Sequence, residues 1–240
     1  FQSQLDSHPE IFVFNGQVDI HRFWNSESHA VEYGVEGAGE YDVEDIVDEF
    51  IGRHIKLLKS RYDMHENKHR LGENLDQSID IDLPQFRTHV ISLLTLNPLC
   101  SRNMLIAVYV AYALCLDQEI EKKKLFFHHA HQVKRLDSFL VDFPESQIIG
   151  TTRDPRAAYV SYIEHWRRVV LYTRHPYLPR WVLHRIVESL DPLAKYGDRF
   201  RVLRLEDMAD SEILTEVCNW LGISFHSCMT KSTWAGLRWW

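Results

Sequence analysis

Cysteine is scarce in this chain of 240 residues: there are four, Cys100, Cys115, Cys218 and Cys228, and no two form a C-x-x-C pair. That spacing argues against a disulfide scaffold and a paired-thiolate zinc site, and it slightly favours a reducing compartment. Cys115 and Cys218 fall on apolar helical faces and are expected to be buried thiols. No apolar run is long enough to cross a bilayer. The longest, Met104 to Leu116, is interrupted by Tyr109 and Tyr112 and reads as a core helix. Internal repeats and low-complexity tracts are absent. Between Glu32 and Glu49 there is no Lys or Arg, only acids among apolar and glycine residues. A net charge of −7 argues against a general nucleic-acid binder. From Arg153 to Arg185, by contrast, Arg dominates, which suits a small anionic ligand better than a phosphate-backbone track.

What is present is ordinary for a folded domain: 45% hydrophobic and 25% charged residues, enough to bury one sizeable core. The pattern predicts helices over 1–8, 42–61, 84–97, 102–122, 132–143, 155–171, 177–196 and 211–221. Strands are predicted over 124–129, 147–152 and 200–205, with an irregular tail. Residues 9–41 read as loop. Val43, Ile46, Val47, Phe50, Ile51, Ile55 and Leu58 follow the spacing of one buried helical face. The charged stretch Tyr62 to Leu83 reads as a long loop, functional or disordered. Strands alternating with helices after Lys124 imply a parallel sheet.

The most informative segment is Ile148-Ile-Gly-Thr-Thr-Arg153-Asp154-Pro155-Arg156 with Ser161 beyond it. A β-branched run leads into a helix that has Asp154 as N-cap and Pro155 in its first turn. Arg153 then stands at the carboxyl end of a strand, the edge where open α/β sheets bind ligands. A guanidinium and a hydroxyl near a helix N-terminus suit a phosphate. The competing reading is an Arg paired with a neighbouring carboxylate and a Ser that the helix tolerates.

The predicted strand before it ends in His128-His129-Ala130-His131, at the same edge. Imidazole suits proton abstraction near neutral pH. The same spacing also fits zinc ligands, but no second His/Cys/Asp cluster announces the rest of a metal set, so no metal is expected. Structural histidines remain the plain alternative. His54 and His89 read as surface or core residues, Glu206 and Asp207 as helix-start acids, and Arg167-Arg168 as a solvated face. Trp234, Trp239 and Trp240 read either as aromatic anchors or as a platform for a base.

The strand-Arg153-Asp154-Pro155-Arg156 corner, with Ser161 eight positions after the arginine, resembles the 3′-phosphate-binding element of sulfotransferases that use 3′-phosphoadenylyl sulfate. The opening Phe1-Gln-Ser-Gln-Leu-Asp-Ser-His8-Pro9 resembles the helix after that family's phosphosulfate loop. Arg199 to Met208, the helix 211–221 closed by Gly222, and the tail from Lys231 to Trp240 are similar too. The resemblance implies a three-layer α/β fold with a central parallel sheet, P-loop-like, and a helical insertion. It implies one domain over 1–240, with 15–123 a mainly helical acceptor side and 124–240 the nucleotide-binding part. Arg153 and Ser161 would hold the 3′-phosphate of the donor. His129 or His131 would deprotonate a hydroxyl, or less readily an amine, of a small-molecule or carbohydrate acceptor, with no metal.

The family's Gly/Ser/Thr-rich phosphosulfate loop belongs just ahead of Phe1, and no segment of this chain replaces it. Gly34 to Glu40 is glycine-rich, but Glu32, Glu36, Glu40 and Asp42 would repel a polyphosphate. A P-loop kinase of similar architecture would need a magnesium-binding acid at a strand end, and none is evident. A sulfotransferase-like domain that only binds a partner or nucleotide is the other alternative. A cytoplasmic location is expected, or the Golgi lumen if an anchor precedes Phe1.

Overall fold

The computed structural model describes residues 1–24, 42–64, 67–130, 136–168, 179–180, 182–183 and 193–239, without the side chains of 166–168 and 193–195. It is a mixed α/β arrangement. Helix α1 (Gln2–Leu5) leads to β1 (Ile11–Val13) and α2 (Ile20–Trp24). Four helices follow: α3 (Val43–Arg53), α4 (Ile55–Leu58), α5 (Leu83–Thr95) and α6 (Ser101–Cys115). The remainder is β2 (Leu125–Phe127), α7 (Leu136–Asp142), β3 (Ile148–Thr152), α8 (Pro155–Arg168), β4 (Phe200–Arg204), α9 (Ser211–Leu221) and the strands β5 (Thr233–Trp234) and β6 (Leu237–Arg238).

The strands form two parallel pairs and one antiparallel hairpin. β1 pairs with β2 in the register Ile11 to Leu125, and β3 pairs with β4 in the register Ile148 to Phe200. Among the described residues no ladder joins β2 to β3. The parallel strands expected after Lys124 are therefore present, but as two pairs.

β1 explains much of the packing. Its side chains alternate between faces, and both faces are covered. Phe12 and Phe14 enter the core made by α2, α3, α5 and α6, where Phe14 lies 4.3 Å from the Tyr112 ring centroid. Ile11 and Val13 point the other way, onto Leu5 of α1 and onto Leu214 and Cys218 of α9. An adjoining strip of α9 carries Val217, which packs with Leu203 of β4, Met208 and Ile149 of β3. One helix thus lies against both pairs, and Phe1 packs on both clusters.

Local chemistry sets the helix ends. Asp42 caps α3 by accepting from Glu44 N–H, Asp82 caps α5 from Gln85 N–H, and Asp210 caps α9 from Glu212 N–H, at 2.9, 2.9 and 2.8 Å. α9 stops at Gly222, which sits in the left-handed region at φ 74° while Ile223 N–H bonds back to Cys218 O.

Several sequence expectations are corrected. Ile11–Val13 lies in a stretch expected as loop, yet it is a buried strand; the run is too short for periodicity to identify. The helix expected over 1–8 covers only Gln2–Leu5, before His8-Pro9. The helix expected over 42–61 breaks at His54, whose Nδ1–H turns back to Phe50 O at 2.9 Å. The helix expected to reach residue 122 ends at Cys115. Leu71, Ile79 and Ile81 plug the core, so the stretch 67–83 is pinned by packing rather than loose. Cys218 is buried, whereas Cys115 is only partly so; all four cysteines are free thiols. The tail contains the β5–β6 hairpin, and Trp234 is a core residue set edge-on to Trp239. The glycine-rich segment 34–40 and Trp240 lie outside the described residues.

Candidate functional site

The carboxyl end of β2 delivers His128 and His129. His128 is held in place: its ring lies parallel to Phe139 at 4.8 Å, and its Nδ1 meets the Tyr109 hydroxyl at 3.2 Å. Burial, with His21 and His129 nearby, pushes its pKa down to about 3. His128 is therefore neutral at ordinary pH and a poor proton acceptor.

His129 has a different environment. Its Nδ1 lies 3.1 Å from Gln2 Oε1, and Gln2 Nε2 donates to Phe14 O and Gly16 O at 2.7 and 3.1 Å. These contacts join the start of α1, the turn after β1 and the end of β2. Gly16 is required in that turn, with φ +99° and Leu57 Cδ2 only 2.5 Å from where a Cβ would stand. His131 lies outside the described residues.

The end of β3 forms the second corner. Asp154 caps α8 as its sequence predicts: Oδ1 accepts from the N–H of Arg156 and Ala157 at 2.8 and 3.4 Å. Its carboxylate also takes the Arg156 guanidinium at 3.1 and 2.6 Å, which holds its pKa well below the usual carboxylate range. Arg153, one position earlier, is half-buried, and its Nε meets no acceptor among the described residues. Glu206 lies beside it: Oε1 accepts from Asp154 N–H at 3.1 Å, and the Glu206 pKa is lowered first by that bond and last by Arg153. Ser161 is exposed on α8, seven positions after Asp154 and so on its helical face.

Arg153 and Ser161 are thus carried by one strand-to-helix corner, and His129 by the end of the other parallel pair. Gln2 and Glu206 were not singled out from sequence for these contacts. Glu206 sits in a recognisable Leu-Glu-Asp turn, but Gln2 gives no signal before β1 is known to return its carbonyls to α1. His54 stacks on Phe50 at 4.2 Å and reads as structural. The side chains of Arg167 and Arg168 are not among those described.

A third polar cluster lies behind His128. His21 Nε2 donates to Asp142 Oδ2 at 2.9 Å, Ser101 Oγ donates to the same oxygen at 2.5 Å, and Arg102 reaches Asp142 O. His21 is buried and the carboxylate lies between it and the serine, an order that ties α2, α6 and α7 together rather than activating the hydroxyl. Among the described residues no group of three or more His, Cys, Asp or Glu side chains is placed to hold a metal ion. Among the described residues no helix is long and apolar enough to cross a membrane.

Chemically, the two corners offer a guanidinium for an anion and an imidazole for a proton, both at carboxyl ends of parallel strands. Comparison with known proteins finds no matching family model, no matching curated protein and no matching solved structure.

Proposed function

We propose that this chain is a sulfotransferase domain that moves a sulfuryl group from 3′-phosphoadenylyl sulfate to a hydroxyl of a small-molecule or carbohydrate acceptor. The observation that carries the reading is the β3–α8 corner. Asp154, its neighbour in sequence, is committed to the helix cap and to Arg156, and Glu206 beside it accepts Asp154 N–H, which supports a role for Arg153 toward another anion. Arg153 Nε, buried without an acceptor among the described residues, supports the same assignment.

In this reading Arg153 and Ser161 hold the 3′-phosphate and distinguish the donor from nucleotides that lack it. The donor supplies an activated sulfuryl group. His129 accepts the acceptor's hydroxyl proton as the acceptor oxygen bonds to sulfur and the bond from sulfur to the bridging phosphate oxygen breaks. The electron pair of that bond leaves on the phosphate, so the products are a sulfate ester, adenosine 3′,5′-bisphosphate and a proton. Positioning and charge stabilisation are the protein's contribution. His128 is unsuited to the proton transfer because its environment disfavours the charged ring.

The proposal extends to the fold. The packing of Phe1 and α9 against both parallel pairs supports a single P-loop-like sheet.

The test is calorimetric titration of Arg153→Ala. Adenosine 3′,5′-bisphosphate binding is expected to weaken by about 1.5–3 kcal/mol, roughly 10- to 150-fold, with 5′-AMP binding little changed. Equal losses for both nucleotides would remove the 3′-phosphate assignment. Transfer of isotopic sulfate from the donor separates an enzyme from a domain that only binds.

A further inference from the structure

We infer that Gln2 is a positioning residue that fixes the tautomer of His129, an assignment that rests on the reading of His129 as the base. The argument begins with the amide. A glutamine side chain has a donating end and an accepting end, and neighbouring groups decide which end points where. Gln2 Nε2 lies 2.7 Å from Phe14 O and 3.1 Å from Gly16 O. Carbonyl oxygens can only accept, so both amide hydrogens are committed to them and the orientation is settled. Gln2 Oε1 must then face His129 Nδ1, 3.1 Å away. That oxygen carries no hydrogen, so the bond requires a proton on Nδ1. In the neutral ring the lone pair is therefore on Nε2.

The consequence is mechanistic. A histidine acts as a base only through its unprotonated nitrogen, and the hydrogen bond made by the other nitrogen selects which one that is. Gln2 does this with a neutral oxygen, unlike a carboxylate, so it orients the ring without adding a negative charge beside it. The arrangement is also pre-organised. Phe14 is fully buried, and the positive φ of Gly16 turns the chain so that its carbonyl shares the same amide group. The first helix, the first strand and the end of the second strand thereby aim one ring.

Long-range proton–nitrogen NMR on the full-length protein reads the tautomer directly. Wild-type His129 is expected to show a pyrrole-like Nδ1 and a pyridine-like Nε2. Gln2→Met removes the acceptor and is expected to shift the ring toward the Nε2–H form, with sulfuryl turnover reduced at least tenfold and adenosine 3′,5′-bisphosphate affinity retained. Gln2→Glu keeps an acceptor and is expected to keep the Nδ1–H form. A wild-type ring in the Nε2–H form overturns the assignment without any variant being needed, and so does a Gln2→Met tautomer identical to wild type. Full turnover by His129→Ala would instead overturn the base reading and leave the tautomer result intact.

Discussion

The two parallel pairs are built alike but covered differently. β1 is packed on both faces: Phe12, with Phe14 just beyond the strand, against the helical core, Ile11 and Val13 against α1 and α9. β4 shows the contrast within one strand, where Leu203 is 3% exposed under α9 and its neighbour Val202, on the other face, is 53% exposed. α8 continues the pattern, with Val160 at 59%. His129 therefore follows a strand paired with the deeply packed β1, although Phe126 of β2 is itself 37% exposed, and Arg153 follows a strand whose partner β4 is exposed on one face. Stability and ligand binding should separate along the same line.

The largest effect expected is on stability in the first half. Phe14→Ala would empty a fully buried ring site beside Tyr109 and Tyr112 and cost about 3–5 kcal/mol. Val202→Ala should stay within about 0.5 kcal/mol, because little is desolvated there. Urea denaturation of both variants checks the pair. Similar losses would show that the β3–β4 half is as tightly packed as the β1–β2 half.

The comparison also explains what was legible in the sequence. α9 matches the expected 211–221 closed by Gly222, and the structure shows why its bounds are sharp: Asp210 caps it, Leu214, Val217 and Cys218 are buried, and Gly222 ends it. The Asp154–Pro155 corner was readable for the same reason, since its cap is local. β1 was not, because three residues buried on both faces carry no period and take their identity from a partner 114 positions away, Ile11 on Leu125. Gln2 was invisible for a related reason: its contacts are set by where β1 returns. Trp234 could be read two ways until its burial was seen. In the candidate site the arginine corner is local in sequence, whereas the contacts of His129 are tertiary and only its imidazole is visible in the sequence.

Acid should separate the halves next. His8 is fully buried, donates from Nε2 to Ser224 O at 2.9 Å and accepts Glu10 N–H at Nδ1. A proton on Nδ1 would face that donor, and burial lowers the His8 pKa from 6.5 as it lowers that of His128. Both folded values lie below the unfolded one, so unfolding takes up protons. Their contribution is complete above about pH 6.5 and is lost as pH falls toward the folded pKa, by up to about 1.4 kcal/mol per pH unit for each ring. The carboxylates of the second half, Asp154 and Glu206, also have lowered values, but the stability they give is lost only below about pH 4. Hydrogen exchange between pH 7 and 5 should therefore loosen β1 and β2 first. Simultaneous loosening of β3 and β4 would deny the separation.

A smaller effect is expected at Gly150 of β3. A Cβ there would stand 2.7 Å from Phe200 Cζ, so Gly150→Ala must displace the ring that covers it, at a cost of about 1–3 kcal/mol. Phe200→Leu in the same chain should restore part of that loss. Failure of the rescue would mean that the glycine serves the backbone rather than the ring.

The smallest effect tests the element the halves share. Asp210→Ala removes the side-chain acceptor for Glu212 N–H and Ile213 N–H and should cost about 1 kcal/mol. Because α9 sends Leu214 and Cys218 to the first pair and Val217 to the second, the fraying of its first turn should be felt on both sides. Amide exchange is expected to quicken by a similar factor, roughly fivefold for a loss of that size, in β1 and in β4. Quickening confined to β4 would show that α9 is anchored by the first pair alone. The second pair would then hang from the helix as a separately yielding unit, and the anion corner would open without disturbing the histidine.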